Sequence, residues 1–388
     1  MISVEEAKRV MMAHVPALTP ITCTLKNATG FVCKEVVAPH DHPLFDMSAV
    51  DGYAFAFGPE HEWKVVGGVA AGEVHPGSLK PGACVRIFTG AMVPDGADTV
   101  VMQESVERNG DRISHGDAGL KAGSNVRRKG EQLRKGQVIR SAGEPLNAAA
   151  KGLLASVGVV EVQVVQPPVV TVLINGNEFV QQGALSPGKI FGSNDVMLEA
   201  LITEAGVEAR VQHVPDEMAA LESAITQGCA SSHMVITTGG ASVGDHDLVR
   251  AAVERCGGRI IFHGVAQKPG KPMLFALFGT KPFLGLPGNP RAVMVLFWEY
   301  VLPFLRAMRG AKDPWLKSDL LPMANALTAK GDRAEFRAAQ VEGGRVTLLA
   351  DEGSHMLRSL VDADALAYLP ASQRSWAVGD AIEVHYLP

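Results

Sequence analysis

The chain has 388 residues, of which 47% are apolar and 20% charged, and its formal net charge is −5. At about 150 residues per domain, this length predicts two to four domains. The composition is typical of globular proteins with several apolar cores. No concentrated basic segment occurs in the sequence, which argues against nucleic acid as a partner.

The five cysteines form no CxxC pair and are odd in number. This pattern predicts free thiols in a reducing compartment, not a disulfide framework or a zinc site. The N-terminal segment lacks a basic region followed by an apolar stretch, so we expect no signal peptide. No apolar run approaches the length of about 18 residues that a membrane helix needs. Together these features predict a cytoplasmic protein without a membrane segment.

The N-terminal third combines one helix with many short apolar runs. Ser3 and Glu6 form a capping-box pattern, which predicts a first helix over residues 3–14. Between residues 53 and 102, short apolar runs alternate with glycine and proline, as is typical of a small β-rich domain. A second helical pattern covers residues 148–156.

Strands alternate with helices between residues 169 and 309, which predicts a mostly parallel sheet covered by helices on both faces. Asp216 and Asp245 are expected to cap two of these helices. The last helix is expected over residues 290–308, and the short apolar runs beyond it predict a closing β-domain.

Four glycine-rich loops follow strands of this predicted sheet, at the ends where open α/β sheets bind ligands. They cover residues 175–178, 239–245, 268–272 and 286–290. Each loop alone is more often structural than functional, but four loops at equivalent strand ends are expected to converge on one cleft. The second loop leads into a helix N-terminus, which favours an anion, and two lysines of the third loop add positive charge. The candidate cofactor-binding residues in these loops are Gly239, Gly240, Ser242, Gly244, Lys268, Lys271, Pro287, Gly288, Asn289 and Pro290.

Three of these segments, residues 239–247, 268–272 and 286–290, resemble in order and spacing the signature of the molybdopterin molybdenumtransferase (MoeA-type) family. The C-terminal part of gephyrin belongs to the same family. Upstream, four further segments look like that family's motifs, so the resemblance covers nearly the whole chain. These segments are residues 45–54, 86–91, 100–104 and 125–131.

The resemblance implies a multi-domain α/β protein with four parts. An elongated helical segment is built from residues 1–44 and 120–166, and residues 45–119 form an inserted β-rich domain. Residues 167–312 form a three-layer, mostly parallel α/β domain of the MogA-like type that binds molybdopterin. Residues 313–388 form a C-terminal β-barrel.

The resemblance also implies a function in molybdenum cofactor biosynthesis. The expected reaction inserts molybdate into molybdopterin or adenylylated molybdopterin with release of AMP, assisted by Mg²⁺. The expected partners are a second copy of the chain, whose inserted domain faces the α/β cleft, and a molybdopterin adenylyltransferase-type protein. Neither nucleic acid nor a membrane is an expected partner.

The implied catalytic residues are Asp51, Thr89, Glu178 and Asp247. Carboxylates are hard oxygen ligands that suit magnesium, and the metal ligands are expected to be Glu178 and Asp247. The hydroxyl of Thr89 is expected to orient a substrate.

Several residues depart from the family's pattern. Asn177 and Gln132 stand where the family has acids, Asn175 replaces a threonine, and Met47 replaces an asparagine. Amides accept hydrogen bonds, but they cannot act as bases and are weak magnesium ligands. We therefore keep a second hypothesis, a catalytically weakened paralogue that acts as a molybdopterin-binding carrier or scaffold. If the lost acids weaken the chemistry, restoring aspartate at positions 132 and 177 should raise magnesium-dependent molybdate insertion.

Overall fold

The structure, a computed structural model, describes residues 1–180, 183, 186–239, 248–350, 353 and 355–388. It begins with helix α1 (Val4–Met12), whose N-cap Ser3 accepts a hydrogen bond from the Glu6 N–H at 3.1 Å. This confirms the predicted first helix. The Glu6 carboxylate, however, pairs with the Arg9 guanidinium at 2.6 Å, so the reciprocal half of the capping box is not formed.

Short strands make up most of the regular structure in residues 13–166, all of which are described. They are β1 (Pro20–Thr24), β2 (Val36–Val37), β3 (Met47–Ser48), β4 (Gly52–Phe55), β5 (Trp63–Val69), β6 (Ala83–Ile87), β7 (Thr99–Met102), β8 (Val106–Asn109), β9 (Arg112–His115), β10 (Val126–Arg127), β11 (Val138–Arg140) and β12 (Glu161–Val165). A 3₁₀ helix covers Gln103–Ser105, and the predicted second helix is present as α2 (Ala148–Ser156).

Strands β4 to β9 form one sheet, in the order β7-β4-β6-β5-β9-β8. Outside this sheet, β1 pairs with β12, β2 with β11 and β3 with β10, all antiparallel. The stretches of chain on either side of the sheet therefore run side by side, and α2 packs beside them. The domain boundaries given above for all four parts remain predictions.

The next part of the chain alternates strands and helices, as the sequence predicts. Its elements are β13 (Val169–Asn175), β14 (Phe179–Val180), β15 (Ile190–Phe191), α3 (Asn194–Glu204), β16 (Glu208–Val214), α4 (Met218–Ser231), β17 (Met234–Thr238), α5 (Leu248–Arg255), β18 (Arg259–His263), β19 (Gln267–Lys268), β20 (Leu274–Phe278), β21 (Lys281–Leu286), α6 (Pro290–Leu296), a π turn (Phe297–Val301) and α7 (Leu302–Met308). The main sheet has the order β16-β13-β17-β21-β20-β18. Five of its six strands run in the same direction, and β20 runs opposite to its neighbours β21 and β18, which confirms a mostly parallel sheet.

Helices cover both faces of this sheet. Side chains of α3, α6 and α7 pack in one apolar core, and side chains of α4 and α5 pack in another on the opposite face. Helix α1 belongs to the first core, because Val4, Ala7 and Met11 are buried there among residues of the sheet. The predicted three-layer arrangement is therefore confirmed.

Three local predictions need correction or lie outside the structure. Asp216 does not cap α4; that helix begins after Glu217, and the Asp216 carboxylate accepts a hydrogen bond from the Asn177 N–H at 3.1 Å. The predicted helix over 290–308 is continuous but contains the π turn Phe297–Val301. The predicted cap Asp245 lies outside the described residues.

A proline in the long helix explains the position of the π turn. Pro303 lies two residues beyond its end, and proline cannot donate the helical hydrogen bond, while its ring crowds the carbonyl four residues earlier. That carbonyl belongs to Glu299, within the turn. The helix accommodates the proline by widening locally, and Glu299 is fully buried there.

The C-terminal part is a closed sheet. Its elements are β22 (Ser318–Pro322), β23 (Leu327–Thr328), β24 (Ala334–Glu342), β25 (Arg345–Leu348), α8 (Arg358–Val361), β26 (Ala365–Leu369), β27 (Ser375–Trp376) and β28 (Ala381–Tyr386). The strand order is β19-β24-β26-β28-β22, with β25 also paired to β24. A bridge between Met323 and Val346 joins the β22 end to β25, so the sheet closes into the predicted barrel. Among the described residues, every helix is too short or too polar to span a bilayer.

A buried ion cluster links the two ends of the chain to the long helix. The Glu299 carboxylate contacts the Lys8 ammonium at 2.6 Å and His385 Nδ1 at 2.7 Å, and His385 Nε2 lies 3.1 Å from Glu383. Burial alone would raise the pKa of Glu299, but hydrogen bonding to His385 and the charge of Lys8 hold that pKa below its usual value. We call Lys8, Glu299 and His385 the buried triad.

Removing Lys8 should destabilise the protein strongly. Lys8→Met leaves the Glu299 carboxylate buried with one partner fewer, and unpairing a buried charge costs about 3 kcal/mol or more. Arg9→Met is the matched control on the same helix, since its pair with Glu6 is exposed and worth at most about 1 kcal/mol. Urea unfolding at pH 7 measures both changes. Equal losses for the two variants would contradict this account of the buried triad.

The buried triad should also make stability pH-dependent. Burial lowers the pKa of His385, but the hydrogen bond and charge of Glu299 outweigh it and raise that pKa above 6.5. Its stabilising contribution is therefore complete below pH 6.5 and is lost as the pH rises through the raised pKa. Urea midpoints measured from pH 6 to 9 should fall in the wild type and fall less in His385→Gln. Parallel curves would rule out His385 as the cause.

Candidate functional site

A cleft of about 780 Å³ opens at the carboxyl ends of the parallel strands. Asn175 ends β13, Gly239 follows β17, and residues 287–290 follow β21, so loops from three neighbouring strands meet there. The cleft brings together most of the described residues that the sequence placed in one site. They are Glu178, Gly239, Pro287, Gly288, Asn289 and Pro290.

The two predicted lysines lie in an adjoining recess of about 190 Å³. Lys268 and Lys271 line this recess, which shares Pro287 and Asn289 with the cleft. Arg333 from the C-terminal barrel also lines it, and the sequence analysis did not single that residue out. The recess is therefore a cationic extension of the cleft.

Four predicted site residues cannot be compared with the structure. Gly240, Ser242, Gly244 and Asp247 lie outside the described residues. Their proposed roles in anion binding and metal binding remain predictions.

Asp51 and Thr89 contact each other, but they do not contribute to this cleft. The Thr89 N–H and hydroxyl both donate to Asp51 Oδ1, at 2.8 and 2.7 Å. These two hydrogen bonds, with the nearby charge of Arg86, lower the pKa of Asp51. Both residues belong to the inserted β-sheet region, and neither is among the described residues that line the cleft.

The close approach of two strand ends requires glycine at position 239. Gly239 has φ +87°, and a Cβ atom there would lie 2.3 Å from the Asn175 carbonyl oxygen. Any side chain would therefore push the end of β17 away from the end of β13. The glycine identified in the sequence is needed for the shape of the cleft floor.

A buried polar network fixes the loop after β21. Asn194 Nδ2 donates to Thr238 Oγ1 at 3.0 Å and to the Gly288 carbonyl at 2.8 Å, and the Thr238 hydroxyl donates to the Pro287 carbonyl at 3.0 Å. The sequence analysis treated Asn194 only as the start of a helix. Asn194 joins the start of α3 to the end of β17 and to the loop after β21, so it holds these parts of the cleft together.

Two amide oxygens at the cleft are poised to accept hydrogen bonds. Asn175 Oδ1 and Asn194 Oδ1 are buried, and neither has a hydrogen-bond partner among the described residues. Buried polar atoms are normally paired, so a pair of free acceptors at a cleft fits a ligand that donates hydrogen bonds.

Asp216 is the main site residue that the sequence analysis missed. It lines the cleft, and its contacts with Asn177 join backbone to side chain: the Asn177 N–H donates to the Asp216 carboxylate at 3.1 Å and the Asp216 N–H donates to Asn177 Oδ1 at 3.3 Å. Asp216 follows β16, another strand of the parallel set. The strand-end rule applied to the other loops would have found it.

The two acid-to-amide substitutions lie in different places. Asn177 contacts the cleft residue Asp216, whereas Gln132 is exposed in the N-terminal part and is not among the described residues lining the cleft. Gln132 is therefore not part of the described cleft lining of its own chain.

The described lining of the cleft contains two carboxylates, those of Glu178 and Asp216. No cluster of three or more His, Cys, Asp or Glu side chains with metal-binding geometry occurs in the described part of the chain. Magnesium is usually held by one or two carboxylates together with water and substrate phosphates. The donor set fits such an ion.

Three family models match successive parts of this chain. Residues 2–158 match the family model of the MoeA N-terminal region (domain I and II), residues 171–307 the probable molybdopterin binding domain, and residues 321–387 the MoeA C-terminal region (domain IV).

Two relatives that match most of this chain are both named molybdopterin molybdenumtransferase. Molybdopterin molybdenumtransferase of Haemophilus influenzae is 31% identical, over 99% of this chain and 98% of its own length. The Nostoc sp. protein of the same name is 34% identical, over 90% and 84%. Crystal structures of a molybdopterin biosynthesis MoeA protein from Pyrococcus horikoshii match 100% of this chain and 99–100% of theirs, with TM-scores of 0.80 and 0.83 at 29% and 25% identity. The expected resemblance is thus confirmed, and the chain belongs to the molybdopterin molybdenumtransferase family.

Proposed function

We propose that this protein inserts molybdenum from molybdate into molybdopterin that is presented as its adenylylated form, with release of AMP. The observation that carries the proposal is the convergence of the family's loop motifs on one cleft with carboxylates in its lining and a cationic recess beside it. An adenylylated, phosphate-bearing pterin needs both kinds of group, because its phosphates bind cations and its phosphoanhydride bond is cleaved with magnesium.

The cationic recess is the proposed phosphate subsite. Lys268 and Lys271 supply point charges, and Arg333 supplies a planar group that can bind phosphate oxygens in pairs. The proposed cofactor-binding residues Gly240, Ser242 and Gly244 would add backbone or hydroxyl donors.

The carboxylates of Glu178 and Asp216 are the proposed magnesium ligands, together with Asp247. When bound, magnesium would offset the negative charge that develops on the bridging phosphates. The hydrogen bond from the Asn177 N–H holds the Asp216 carboxylate in place at the cleft. The free amide oxygens of Asn175 and Asn194 are suited to accept hydrogen bonds from the amino groups of a pterin.

Asp51 and Thr89 are proposed to act across a homodimer. Neither lines the cleft of its own chain, and the family resemblance implies that the inserted domain of a second copy faces this cleft. The lowered pKa keeps Asp51 ionised at neutral pH. An adenylyltransferase-type protein is the expected partner, because it is the class of enzyme that makes an adenylylated substrate.

The alternative function is that of a carrier or scaffold that binds molybdopterin without turnover. Asn177 favours it, since an amide stands where the family has an acid. Asp216 contacts the Asn177 backbone N–H and Asn177 Oδ1, and an aspartate at position 177 would make the same two contacts. The substitution therefore leaves the remaining acid in place, which favours the catalytic function.

Replacing Asp216 should separate the two functions. In single-turnover reactions with adenylylated molybdopterin, magnesium and molybdate, wild-type protein should release AMP and load the pterin with molybdenum. Asp216→Asn should slow both by at least about 10-fold, through weaker magnesium binding. Asp195→Asn is the matched control, since that acid pairs with His213 and is not among the cleft-lining residues described. Tight substrate binding by the wild type without AMP release would instead establish the carrier function.

Restoring the family's acid at position 177 tests the substitution itself. Asn177→Asp adds a carboxylate beside Asp216, so half-maximal insertion should need several-fold less magnesium. Asn109→Asp adds the same charge on an exposed strand end and should change nothing. An unchanged magnesium requirement in Asn177→Asp would mean that the acids already present are sufficient.

A further inference from the structure

A second cavity, of about 700 Å³, lies away from the cleft. It is enclosed by α1, the π turn, the segment before β22, and strands β22 and β28. It shares none of its lining residues with the cleft described above. The proposed molybdenum insertion does not use it.

The floor of this cavity is the buried triad. The Lys8 ammonium pairs with Glu299 and lies 5.4–5.8 Å from the ring centres of Trp315, Tyr300 and Phe336. Both His385 and Lys8 are balanced by carboxylates. The floor therefore offers aromatic surface without an uncompensated positive charge.

The walls continue this aromatic surface toward solvent. Trp298, Trp315, Tyr368 and Tyr386 all line the cavity, and Trp315 remains 36% exposed. The Tyr368 hydroxyl donates to the Glu5 carboxylate, which fixes one wall. Aromatic faces carry partial negative charge and attract cations.

Carboxylates dominate the remaining lining. Glu5, Asp313, Asp319 and Glu383 line the cavity, whereas Lys317 is the only cation among its described lining residues outside the buried triad. Coulomb attraction at a half-enclosed site is several times stronger than in bulk water. The aromatic walls and the acidic rim thus both favour a cationic ligand.

The π turn in the long helix is a further feature that indicates a functional site at this cavity. It places Trp298 and Glu299 at the cavity. Single π turns within α-helices occur frequently at functional sites. An ordinary helix would present other side chains here.

We propose that this cavity binds a small organic cation, an ammonium or guanidinium group attached to an apolar body. The cationic group lies against Trp315 and Tyr386 and is neutralised by Asp319. The apolar body fills the aromatic interior. Both a free metabolite and a basic side chain of a protein carry this chemistry.

Binding of defined probes to the full-length protein tests the proposal. Choline represents a free ammonium compound, and N-acetyl-arginine amide represents a basic side chain. Each has a neutral counterpart of the same shape, 3,3-dimethylbutan-1-ol and N-acetyl-citrulline amide. Tryptophan fluorescence and calorimetry should show at least one cation binding about 10-fold more tightly than its neutral counterpart. Preference for choline would indicate a free metabolite, and preference for the arginine compound a protein side chain.

Two variants assign the binding to this cavity. Asp319→Asn removes a rim charge and should weaken the preferred cation several-fold; Trp315→Leu should weaken it further and reduce the fluorescence change. Glu107→Gln, an exposed acid on β8, is the matched control, and thermal unfolding checks that each variant is folded. If Trp315→Leu is unstable, Asp313→Asn, which removes another acid of the lining, replaces it. Equal binding of cations and neutral counterparts, no binding of either cation, or unchanged affinity in the folded variants would overturn the proposal.

Discussion

The architecture of the candidate cleft depends on one constraint, the parallel pairing of β16, β13, β17 and β21. Parallel strands end at the same edge of a sheet, so the segments that follow them must meet there. Asn175, Asp216, Gly239 and Gly288 are far apart in sequence, yet this pairing places all of them at one opening. Strand β20 runs in the opposite direction, but β18 beyond it again has the direction of the parallel set, and the chain that follows β18 supplies Lys268 and Lys271 of the adjoining recess.

A second level of organisation comes from the long helix after β21. Its first turn helps to form the cleft, and its later part carries Glu299 into contact with Lys8 of the first helix and His385 of the last strand. The α/β domain, the N-terminus and the C-terminal barrel therefore share one buried electrostatic contact. Strand β19, which includes Lys268, also pairs directly with β24 of the barrel, so the cationic recess is built jointly by two domains.

The sequence predicted most of the fold, because strand and helix periodicities are local and the glycine-rich loops mark strand ends. It also predicted one site from Glu178, Gly239 and the 287–290 loop, and these residues line one cleft; their roles there remain predictions. Asp216 was interpreted by a local rule, helix capping, although its surroundings are set by the neighbouring Asn177 loop. The buried triad joins residues 8, 299 and 385, and no local pattern reports contacts over such separations.

The π turn also changes the rotational phase of the helix that contains it. A π turn inserts about one extra residue relative to an α-helix, which at roughly 100° per residue rotates everything beyond it by that angle. Phe304 and Leu305, both fully buried, therefore lie on the side of the helix that faces the core because of an insertion ahead of them. A relative with one residue fewer in this helix could bury the same face only with a shifted set of side chains, so single-residue length changes here would be tied to compensating substitutions in the barrel.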